Sequence, residues 1–297
     1  MAGLLVAFVF SISVLITGSI DSYAQESSFV LKVMNYNVKG LPVPWVKKKK
    51  RFKNIAKELI SLRNQGQHPH VLNIQEAMSR KVKIIREAIK SPHSQKGPKG
   101  KWFRISAGLE TFSEFEIVET NQMVYKRCAS YDCLSRKGVL HTRIRVPGMP
   151  VDIDIYSTHM QAGPTGDIIT PKWYTTMIRE LQSLDYYAFV ARTKGEKNIA
   201  LHIGDFNFKP KTGLYPVFVD TLNLTNSILE CANLGCAGDT DPYSTWENLI
   251  DHQFYNAPEG GPIVEFRPIY FDQLLKDPTG KVFSDHDATM VHYLITW

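Results

Sequence analysis

Acidic, amide and imidazole side chains recur along the chain where short apolar segments end. The segment IALHIGDFNFKP has the apolar character of a buried strand, and it then places Asp205 and Asn207 two residues apart. Carboxylate and amide oxygens suit a hard divalent cation, and a histidine beside a carboxylate can transfer protons. These residue types indicate a polar site assembled from several strand ends. The candidates are Asn37, Glu76, His159, Asp205, Asn207, Asp251, Asp285 and His286.

Each of these residues also has an ordinary structural explanation when it is considered alone. Asn37 could be a turn residue before KGLP, and Glu76 could cap a helix or carry a surface charge. A lone histidine such as His159 more often completes hydrogen bonds within a fold than catalyses a reaction. The two Asp–His dipeptides could arise by chance. The repetition of such residues at strand ends is what indicates a functional site.

Apolar patterns predict the strands and helices that would carry these side chains. The predicted order alternates strands with helices, and it contains adjacent strand pairs such as GVLHTRIRV and VDIDIYSTHM, which the turn PGMP joins. A layered α/β domain with mixed sheets fits this order better than a purely parallel sheet. The predicted strands are 29–38, 70–77, 138–146, 151–160, 249–255, 288–297 and one that starts at Ile199, and the predicted helices are 53–62, 82–89 and 172–192.

Residue spacing also predicts which side chains point in the same direction. Residues two apart on a strand share a face, so Asp205 and Asn207 are expected to point together. The helix 172–192 has an apolar period that predicts a buried face. Its expected inward residues are Trp173, Ile178, Leu181, Leu184 and Phe189.

The chain is basic, because 35 lysines and arginines against 29 acidic residues give a formal net charge of +6. The clearest basic run is KKKKR, residues 47–51. It is either the solvated start of a helix or a region attracted to phosphate-bearing surfaces, and charge alone does not separate a nucleic acid from a phospholipid. The helix that it begins has an apolar stripe of Phe52, Ile55, Ala56, Leu59 and Ile60.

The first 24 residues differ in composition from the rest of the chain. GLLVAFVFSISVLITGSI is apolar and uncharged, and the small residues of SYA follow it. This pattern predicts a secretory signal peptide over residues 1–24, with an uncleaved membrane anchor as the alternative. Residues 25–297 contain no composition shift that would mark an internal boundary, so we expect them to form a single domain. The expected location is secreted or periplasmic.

Export affects how the four cysteines are interpreted. They form two close pairs, Cys128 with Cys133 and Cys231 with Cys236, each with four intervening residues. Four cysteines allow three pairings, and we expect local disulfides because the compartment is predicted to be oxidising. A zinc site built from thiolates is the alternative.

The order of the motifs resembles that of the endonuclease/exonuclease/phosphatase superfamily. The motifs are NYNVKGL, NIQEA, YSTHMQAG, IGDFNFKP, IDHQFY and SDHDA. Within that superfamily, RKGVLHTRIRV running into IYSTHMQAG is similar to secreted sphingomyelinase C-type enzymes. The resemblance implies a four-layer sandwich of two mixed β-sheets flanked by helices, formed by residues 25–297. It also implies Mg²⁺-dependent cleavage of a phosphate ester.

The resemblance implies a role for each residue that would handle protons or phosphate. His286 is the expected general base for water, and Asp251 would hold its imidazole in the useful tautomer. Asp205 and Asn207 would position the water or the phosphate. His159 would donate a hydrogen bond to a phosphoryl oxygen. His252, next to Asp251, receives no role.

Glu76 is the expected principal ligand of the Mg²⁺ ion, with Asn37 beside it and Asp285 as a further contributor. The expected substrate is a phosphate ester, and a phospholipid is favoured over a nucleic acid. We expect a monomer that makes peripheral membrane contact, although the exposed aromatic hairpin that some bacterial sphingomyelinases use at membranes is not identifiable from the sequence. The alternatives are a secreted endonuclease acting on DNA or RNA and a catalytically inactive secreted binding protein.

Overall fold

The computed structural model describes residues 27–42, 48–163, 170–258, 260–277 and 279–297. The predicted signal peptide lies outside these residues. The strands are β1 (Ser28–Asn37), β2 (Val71–Gln75), β3 (His93–Lys96), β4 (Glu110–Ser113), β5 (Glu116–Val124), β6 (Gly138–Arg145), β7 (Ile153–His159), β8 (Ile199–Asp205), β9 (Thr225–Asn226), β10 (Ala237–Gly238), β11 (Asp251–Asn256), β12 (Glu265–Leu274) and β13 (Ala288–Thr296). The helices are α1 (Lys48–Asn64), α2 (Lys83–Ile89), α3 (Lys172–Thr193), α4 (Leu214–Leu222), α5 (Ser227–Leu234) and α6 (Pro242–Asn248).

Two mixed β-sheets form the centre of the molecule. One has seven strands in the order β10-β12-β13-β1-β2-β4-β3, and the other has six in the order β5-β6-β7-β8-β11-β9. β-branched and aliphatic side chains such as Val33, Ile155 and Ile203 fill the space between the sheets. Helices α1 and α2 cover the outer face of the first sheet, and α3 and α4 cover the outer face of the second. The predicted four-layer α/β sandwich is confirmed.

Strand direction brings distant parts of the chain to one end of this sandwich. β1 runs parallel to β2, and β7 runs parallel to β8, whereas β13 is antiparallel to β1 and β11 is antiparallel to β8. The carboxyl ends of four strands therefore lie beside the amino ends of two others. Register makes His159, Asp205 and Asp251 direct neighbours on three adjacent strands.

The apolar stripe predicted for α1 is largely correct. Phe52, Ile55, Ala56 and Leu59 are buried, whereas Ile60 is exposed. The basic run before this stripe is only partly solvated. The Lys48 ammonium donates to the Leu41 carbonyl, and the Arg51 guanidinium donates to the carbonyls of Lys39 and Phe283. In the described part of the run, Lys48 and Arg51 therefore stabilise neighbouring loops through hydrogen bonds as well as contributing charge.

The inward face predicted for α3 is wrong at three positions. Ile178 and Phe189 are buried, but Trp173, Leu181 and Leu184 are exposed. The helix is rotated because a polar stripe takes the inward face and serves the loop after β7. Gln182 accepts a hydrogen bond from the Gln161 amide at 2.8 Å, and Arg179 donates to the Gln161 carbonyl at 3.2 Å. Apolar periodicity alone does not detect such a requirement.

The cysteines form the two local disulfides that were expected, Cys128–Cys133 and Cys231–Cys236. Because their sulfur atoms bond to one another, the alternative of a thiolate zinc site is wrong. None of the helices in the described ranges combines the length and apolar character needed to cross a bilayer.

Candidate active site

The predicted polar residues gather at the end of the sandwich where the strand ends meet. Asn37 ends β1, Glu76 follows β2, His159 ends β7 and Asp205 ends β8. Two further residues come from antiparallel strands and reach the same place, because Asp251 begins β11 and His286 lies two residues before β13. Gly204 allows β7 and β8 to lie close together at this end, since a Cβ atom at residue 204 would lie 2.1 Å from the Thr158 carbonyl oxygen of β7.

An amide and two carboxylates form the first part of the site. The Asn37 Nδ2 atom donates to Glu76 Oε1 at 3.2 Å and to Asp205 Oδ2 at 3.1 Å, which links the two sheets. Glu76 has a left-handed backbone with a φ of 56°, which is uncommon for a residue other than glycine. Such conformations cluster at functional sites, where the surrounding structure holds them in place.

An acid–histidine pair forms the second part. His286 Nδ1 lies 2.6 Å from Asp251 Oδ2, and His286 Nε2 lies 3.8 Å from Asp205 Oδ2. The hydrogen bond to Asp251 leaves Nε2 facing the interior of the site. This is the orientation that an imidazole needs in order to exchange a proton with a group held near Asp205.

His159 is more deeply buried than the other histidine of the site, His286. Its imidazole is almost fully buried, with Nε2 3.4 Å from Asp205 Oδ2 and 2.9 Å from Lys137 Nζ. Lys137 is also buried, and it donates to the Met160 carbonyl and to Asp132 at 2.9 and 2.8 Å. Lys137 therefore brings a positive charge into the site beside His159.

The expectation that Asp205 and Asn207 share one face of a strand is wrong, because β8 ends at Asp205 and Asn207 has a left-handed backbone with a φ of 57°. The two residues still lie together through a turn in which the Asn207 amide donates to Asp205 Oδ1 at 3.0 Å. The Asn207 side chain donates to the Met160 carbonyl at 3.1 Å. Asn207 thus stays at the site and orients Asp205.

Asp285 lies at the outer edge of the site. Its Oδ2 atom pairs with Lys39 Nζ at 2.6 Å, and both side chains are partly exposed. Burial would raise the pKa of Asp285, but the hydrogen bond from Lys39 and the charge of His286 outweigh burial and hold the pKa below its usual value. The neighbouring Ser284 hydroxyl donates to the Asn37 carbonyl at 2.7 Å and anchors this segment to β1.

Burial shifts two acidic groups of the site, Glu76 and Asp205, toward their neutral forms. It raises the pKa of Glu76, and the hydrogen bond from Asn37 offsets only part of the rise. Burial, together with the nearby Asp251 charge, also raises the pKa of Asp205. A cation bound close to these carboxylates would stabilise their charged forms.

The two imidazoles of the site are shifted in opposite directions. Burial would lower the pKa of His286, but the charges of Asp251 and Asp205 outweigh it and raise the pKa to about 10. Burial, assisted by the charge of Lys137, lowers the pKa of His159 well below its usual value. At neutral pH His286 is therefore protonated and His159 is neutral. Service as a general base requires His286 to lose that proton first.

Two groups of atoms could hold a divalent cation. Asp205, Asp251 and His286 offer ligand atoms within 4.8 Å of one another, but His286 Nδ1 already pairs with Asp251. Among the residues that the structure describes, Glu76 Oε2 and Asp251 Oδ1 are both buried without a hydrogen-bond partner. An oxygen with free lone pairs is the donor that Mg²⁺ prefers, and Glu76 is not already paired with a histidine as Asp251 is, so Glu76 fits the ion better. Asn37 presents its nitrogen to Glu76, and its amide would have to turn to ligate through oxygen.

Sequence reasoning gave no site role to Lys137 or Lys39. The Lys137 ammonium contacts His159, and the Lys39 ammonium contacts Asp285. Lys137 begins the segment KGVLHTRIRV, and a charged residue next to a buried strand could have been a signal. Lys39 has a left-handed backbone with a φ of 48°, which its sequence does not indicate.

The fold of the chain matches that of several solved structures. Staphylococcus aureus beta toxin, in a mutant form with bound magnesium ions, superimposes with a TM-score of 0.68 at 17% identity, covering 89% of this chain and 99% of that one. Sphingomyelinase C from Streptomyces griseocarneus gives 0.64 at 16% identity, with coverages of 89% and 99%. An endonuclease/exonuclease/phosphatase family protein from Bacteroides thetaiotaomicron gives 0.64 at 16% identity, with coverages of 90% and 98%.

Two curated relatives are similar in sequence. The sphingomyelinase of Mycobacterium tuberculosis H37Rv is 30% identical over 141 residues, which are 44% of this chain and 27% of that protein. The putative neutral sphingomyelinase of Drosophila melanogaster is 24% identical over 238 residues, which are 77% of this chain and 48% of that protein. The chain thus matches less than half the length of either relative. No protein-family model matches it.

The chain has the fold of the endonuclease/exonuclease/phosphatase proteins, as the sequence predicted. Its structural neighbours include beta toxin and sphingomyelinase C, and its curated relatives are sphingomyelinases. The resemblance proposed from the motifs is confirmed at this level.

Proposed function

We propose that the chain is an exported, Mg²⁺-dependent phosphodiesterase of the sphingomyelinase C type. In this proposal residues 1–24 are a cleaved signal peptide, and residues 25–297 form one catalytic domain. The observation that carries the proposal is the meeting of Glu76 and Asn37 with the Asp205–Asp251–His286 cluster at one end of the sandwich. The similarity to sphingomyelinases supports a phospholipid headgroup ester as the substrate.

Glu76, with Asn37 and Asp285 nearby, would hold the Mg²⁺ ion, which would supply Lewis-acid stabilisation of charge on the phosphoryl oxygens. In its neutral form His286 accepts the proton of the attacking water molecule, while Asp251 keeps the imidazole oriented through Nδ1. Asp205 holds the attacking water close to His286 Nε2.

The remaining residues of the site hold the substrate and its charge. Asn207 fixes the Asp205 carboxylate through its backbone amide. The Lys137 ammonium supplies positive charge beside His159, whose Nε2 atom accepts from it, and the buried His159 Nδ1 atom would donate to a phosphoryl oxygen. Electrostatic groups of this kind act most strongly when they are fixed in place before the reaction, as these two buried side chains are.

The test compares sphingomyelin and plasmid DNA as substrates, each with Mg²⁺ and with a chelator. We expect hydrolysis of sphingomyelin that the chelator abolishes and no nicking of the plasmid. Glu76→Gln should reduce the activity by about 10²–10³ or more, whereas the same substitution at the exposed Glu87 of α2 should preserve it.

Two results would contradict the proposal. Cleavage of the plasmid with intact sphingomyelin would favour the endonuclease alternative. Binding of a phosphate ester that is insensitive to the chelator, without any hydrolysis, would favour the inactive binding protein.

A further inference from the structure

His252 belongs to the motif IDHQFY, and the proposed function gives it no role. Its side chain leaves β11 on the face opposite to that of Asp251, because successive residues of a strand point to opposite faces. The imidazole is therefore directed away from the candidate active site and toward α4, and it is fully buried. Any effect of His252 on the reaction has to act through a neighbouring residue.

The His252 imidazole lies in a cluster of aromatic side chains. Four aromatic ring centroids lie 5.1–6.0 Å from that of His252, and they belong to Phe206, Phe208, Tyr215 and Phe254. A phenylalanine would suit such surroundings, since it has no polar atoms that lose solvation on burial. The polar ring is accommodated through the hydrogen bonds of its two nitrogen atoms.

One of these nitrogen atoms holds a backbone carbonyl. His252 Nε2 lies 2.8 Å from the Phe208 carbonyl oxygen, so Nε2 carries a proton and donates a hydrogen bond. His252 Nδ1 lies 3.5 Å from the Asn226 Nδ2 atom and accepts from it, which requires the same tautomer of the neutral ring. Among the described residues, His252 is the donor to the Phe208 carbonyl.

His252 thereby fixes both ends of the turn that follows β8. Its backbone pairs with Gly204 in the register of β11 and β8, and its side chain holds the Phe208 carbonyl. Asp205 and Asn207 lie between these two points. The turn needs such support, because the left-handed backbone of Asn207 costs free energy and persists only where the surrounding structure imposes it.

The side chains of this turn are divided between the aromatic cluster and the candidate active site. Phe206 and Phe208 are buried in the cluster. Asn207, between them, donates from its backbone amide to Asp205 Oδ1 at 3.0 Å. A shift of Phe208 would therefore move Asn207 and loosen the Asp205 carboxylate, whose Oδ2 atom lies 3.8 Å from His286 Nε2.

We infer that His252 is a positioning residue of the candidate active site. By holding the Phe208 carbonyl, it keeps the turn in the conformation that orients Asp205 toward His286. The inference rests on the proposed function only for its kinetic readout, because the turn can be measured without a substrate. The affected constant is kcat and not KM, since Asp205 acts on the attacking water and not on the binding of the headgroup.

The test compares two substitutions that separate the hydrogen bond from the packing of the ring. His252→Phe keeps an aromatic ring in the cluster and removes the donor. His252→Gln removes the ring and provides an amide donor in place of Nε2. For sphingomyelin with Mg²⁺, kcat per folded molecule should fall about 10–100-fold in His252→Phe at an unchanged KM, and less than about threefold in His252→Gln.

The matched control is Tyr215→Phe, which removes a hydroxyl from the same aromatic cluster. That hydroxyl accepts from Trp246 Nε1 of α6 at 3.2 Å. The control should lose stability in urea and keep the wild-type kcat. A purely structural role of His252 would instead give the same result in His252→Phe as in Tyr215→Phe, with a loss of stability and no loss of kcat.

Hydrogen exchange, without substrate or Mg²⁺, reports on the turn itself. The Asn207 amide should exchange at least about tenfold faster in His252→Phe than in the wild type, and at the wild-type rate in Tyr215→Phe. A double-mutant cycle measures the coupling in the reaction. Because His252 acts through Asn207, His252→Phe should lower kcat much less in an Asn207→Ala background than in the wild type.

An unchanged kcat in His252→Phe, or an equal loss of kcat in Tyr215→Phe, would overturn the inference. A loss in His252→Gln as large as that in His252→Phe would also overturn it, since the donor would then make no difference. Faster exchange of the Asn207 amide that is confined to His252→Phe, in a protein that hydrolyses no phosphate ester, would support the positioning of the turn and remove the proposed function.

Discussion

Two carboxylates, the fully buried Asp154 and the half-buried Glu76, lie in opposite parts of the sandwich and differ in how far their surroundings compensate for lost solvation. Asp154 is fully buried near the start of β7, about 17 Å along that strand from His159 at its other end. It accepts hydrogen bonds from His141, Arg143 and the Gly195 amide at 2.7–2.9 Å. These hydrogen bonds compensate fully for the solvation that the Asp154 carboxylate loses on burial.

Glu76 is half-buried and has much less compensation. Among the residues that the structure describes, it accepts a hydrogen bond from Asn37, and its buried Oε2 atom has no partner. The pKa values record the difference. Burial alone would raise the pKa of Asp154, but the hydrogen bonds from His141 and Arg143 hold it below its usual value, whereas the pKa of Glu76 is raised.

The contrast shows that an acid–histidine pair does not by itself mark an active site. His141–Asp154 and His286–Asp251 both have short contacts, of 2.9 and 2.6 Å. The first pair is fully enclosed and its aspartate is saturated with donors. In the second pair His286 is partly exposed, and Asp251 Oδ1 has no partner among the residues that the structure describes. Unsatisfied buried polar atoms are costly, so a cluster of them indicates groups reserved for a ligand.

Removing Asp154 from the enclosed cluster that it forms with His141 and Arg143 should have the largest effect on stability. Asp154→Ala would leave the buried His141 without its acceptor and would take one acceptor from Arg143, and the loss of one partner of a buried pair typically costs about 3–5 kcal/mol. Urea denaturation should show this drop in the free energy of unfolding. Turnover per folded molecule should stay at the wild-type level, and a selective loss of turnover with normal stability would place this pair in catalysis.

Glu76 belongs to an open cluster that it forms with Asn37, Asp205, Asp251 and His286, and changing its carboxylate should have the reverse outcome. Glu76→Gln should reduce turnover of sphingomyelin by about 10²–10³ or more, the usual cost of losing one electrostatic group of an active site. The free energy of unfolding should stay constant or rise by about 1 kcal/mol, because a poorly compensated buried charge is removed. A large loss of stability would show that Glu76 is structural instead.

Apolar periodicity predicted most of the strands and helices, and the order of the motifs predicted the four layers. Together they predicted which residues would meet at the site. These predictions failed where a hydrogen bond elsewhere in the fold decides the outcome. The inward face of α3 is set by Gln182 and Arg179, which bind the loop after β7. The position of Asn207 is set by a left-handed backbone, which a strand period does not contain.

The surroundings of each side chain were equally invisible in the sequence. The exposure of Trp102 and Phe103 depends on a turn whose ends are held by Arg104 and Arg136. The His141–Asp154 pair gave no signal, since neither residue belongs to a recognised motif. Satisfied and unsatisfied carboxylates look the same in a sequence, and only three-dimensional packing distinguishes them.

Magnesium binding should stabilise the protein through the open cluster and not through the enclosed one. A ligand present at 100 times its dissociation constant stabilises the folded state by about 2.7 kcal/mol. Thermal unfolding should therefore shift upward with Mg²⁺ in the wild type and in Asp154→Asn, but not in Glu76→Gln. An equal shift in Glu76→Gln would place the ion at another site, of which Asp205 with Asp251 and His286 is the best alternative.

The smallest expected effect is a difference in the pH windows over which the two carboxylates influence stability, measured without divalent cations. Asp154 has a lowered pKa, so its contribution is fully present above its ordinary value of 3.8 and is lost only as the pH falls through the folded value. Glu76 has a raised pKa, so its penalty is present above the folded value and disappears as the pH falls toward its ordinary value of 4.5. A folded-state pKa that differs by one from the unfolded-state pKa changes the free energy of unfolding by about 1.4 kcal/mol. The difference in unfolding free energy between Glu76→Gln and the wild type should therefore shrink while the pH falls toward 4.5, whereas the difference for Asp154→Asn should stay constant until the pH falls below about 4. Parallel pH profiles for the two variants would mean that both carboxylates are equally compensated, and the contrast between the clusters would not hold.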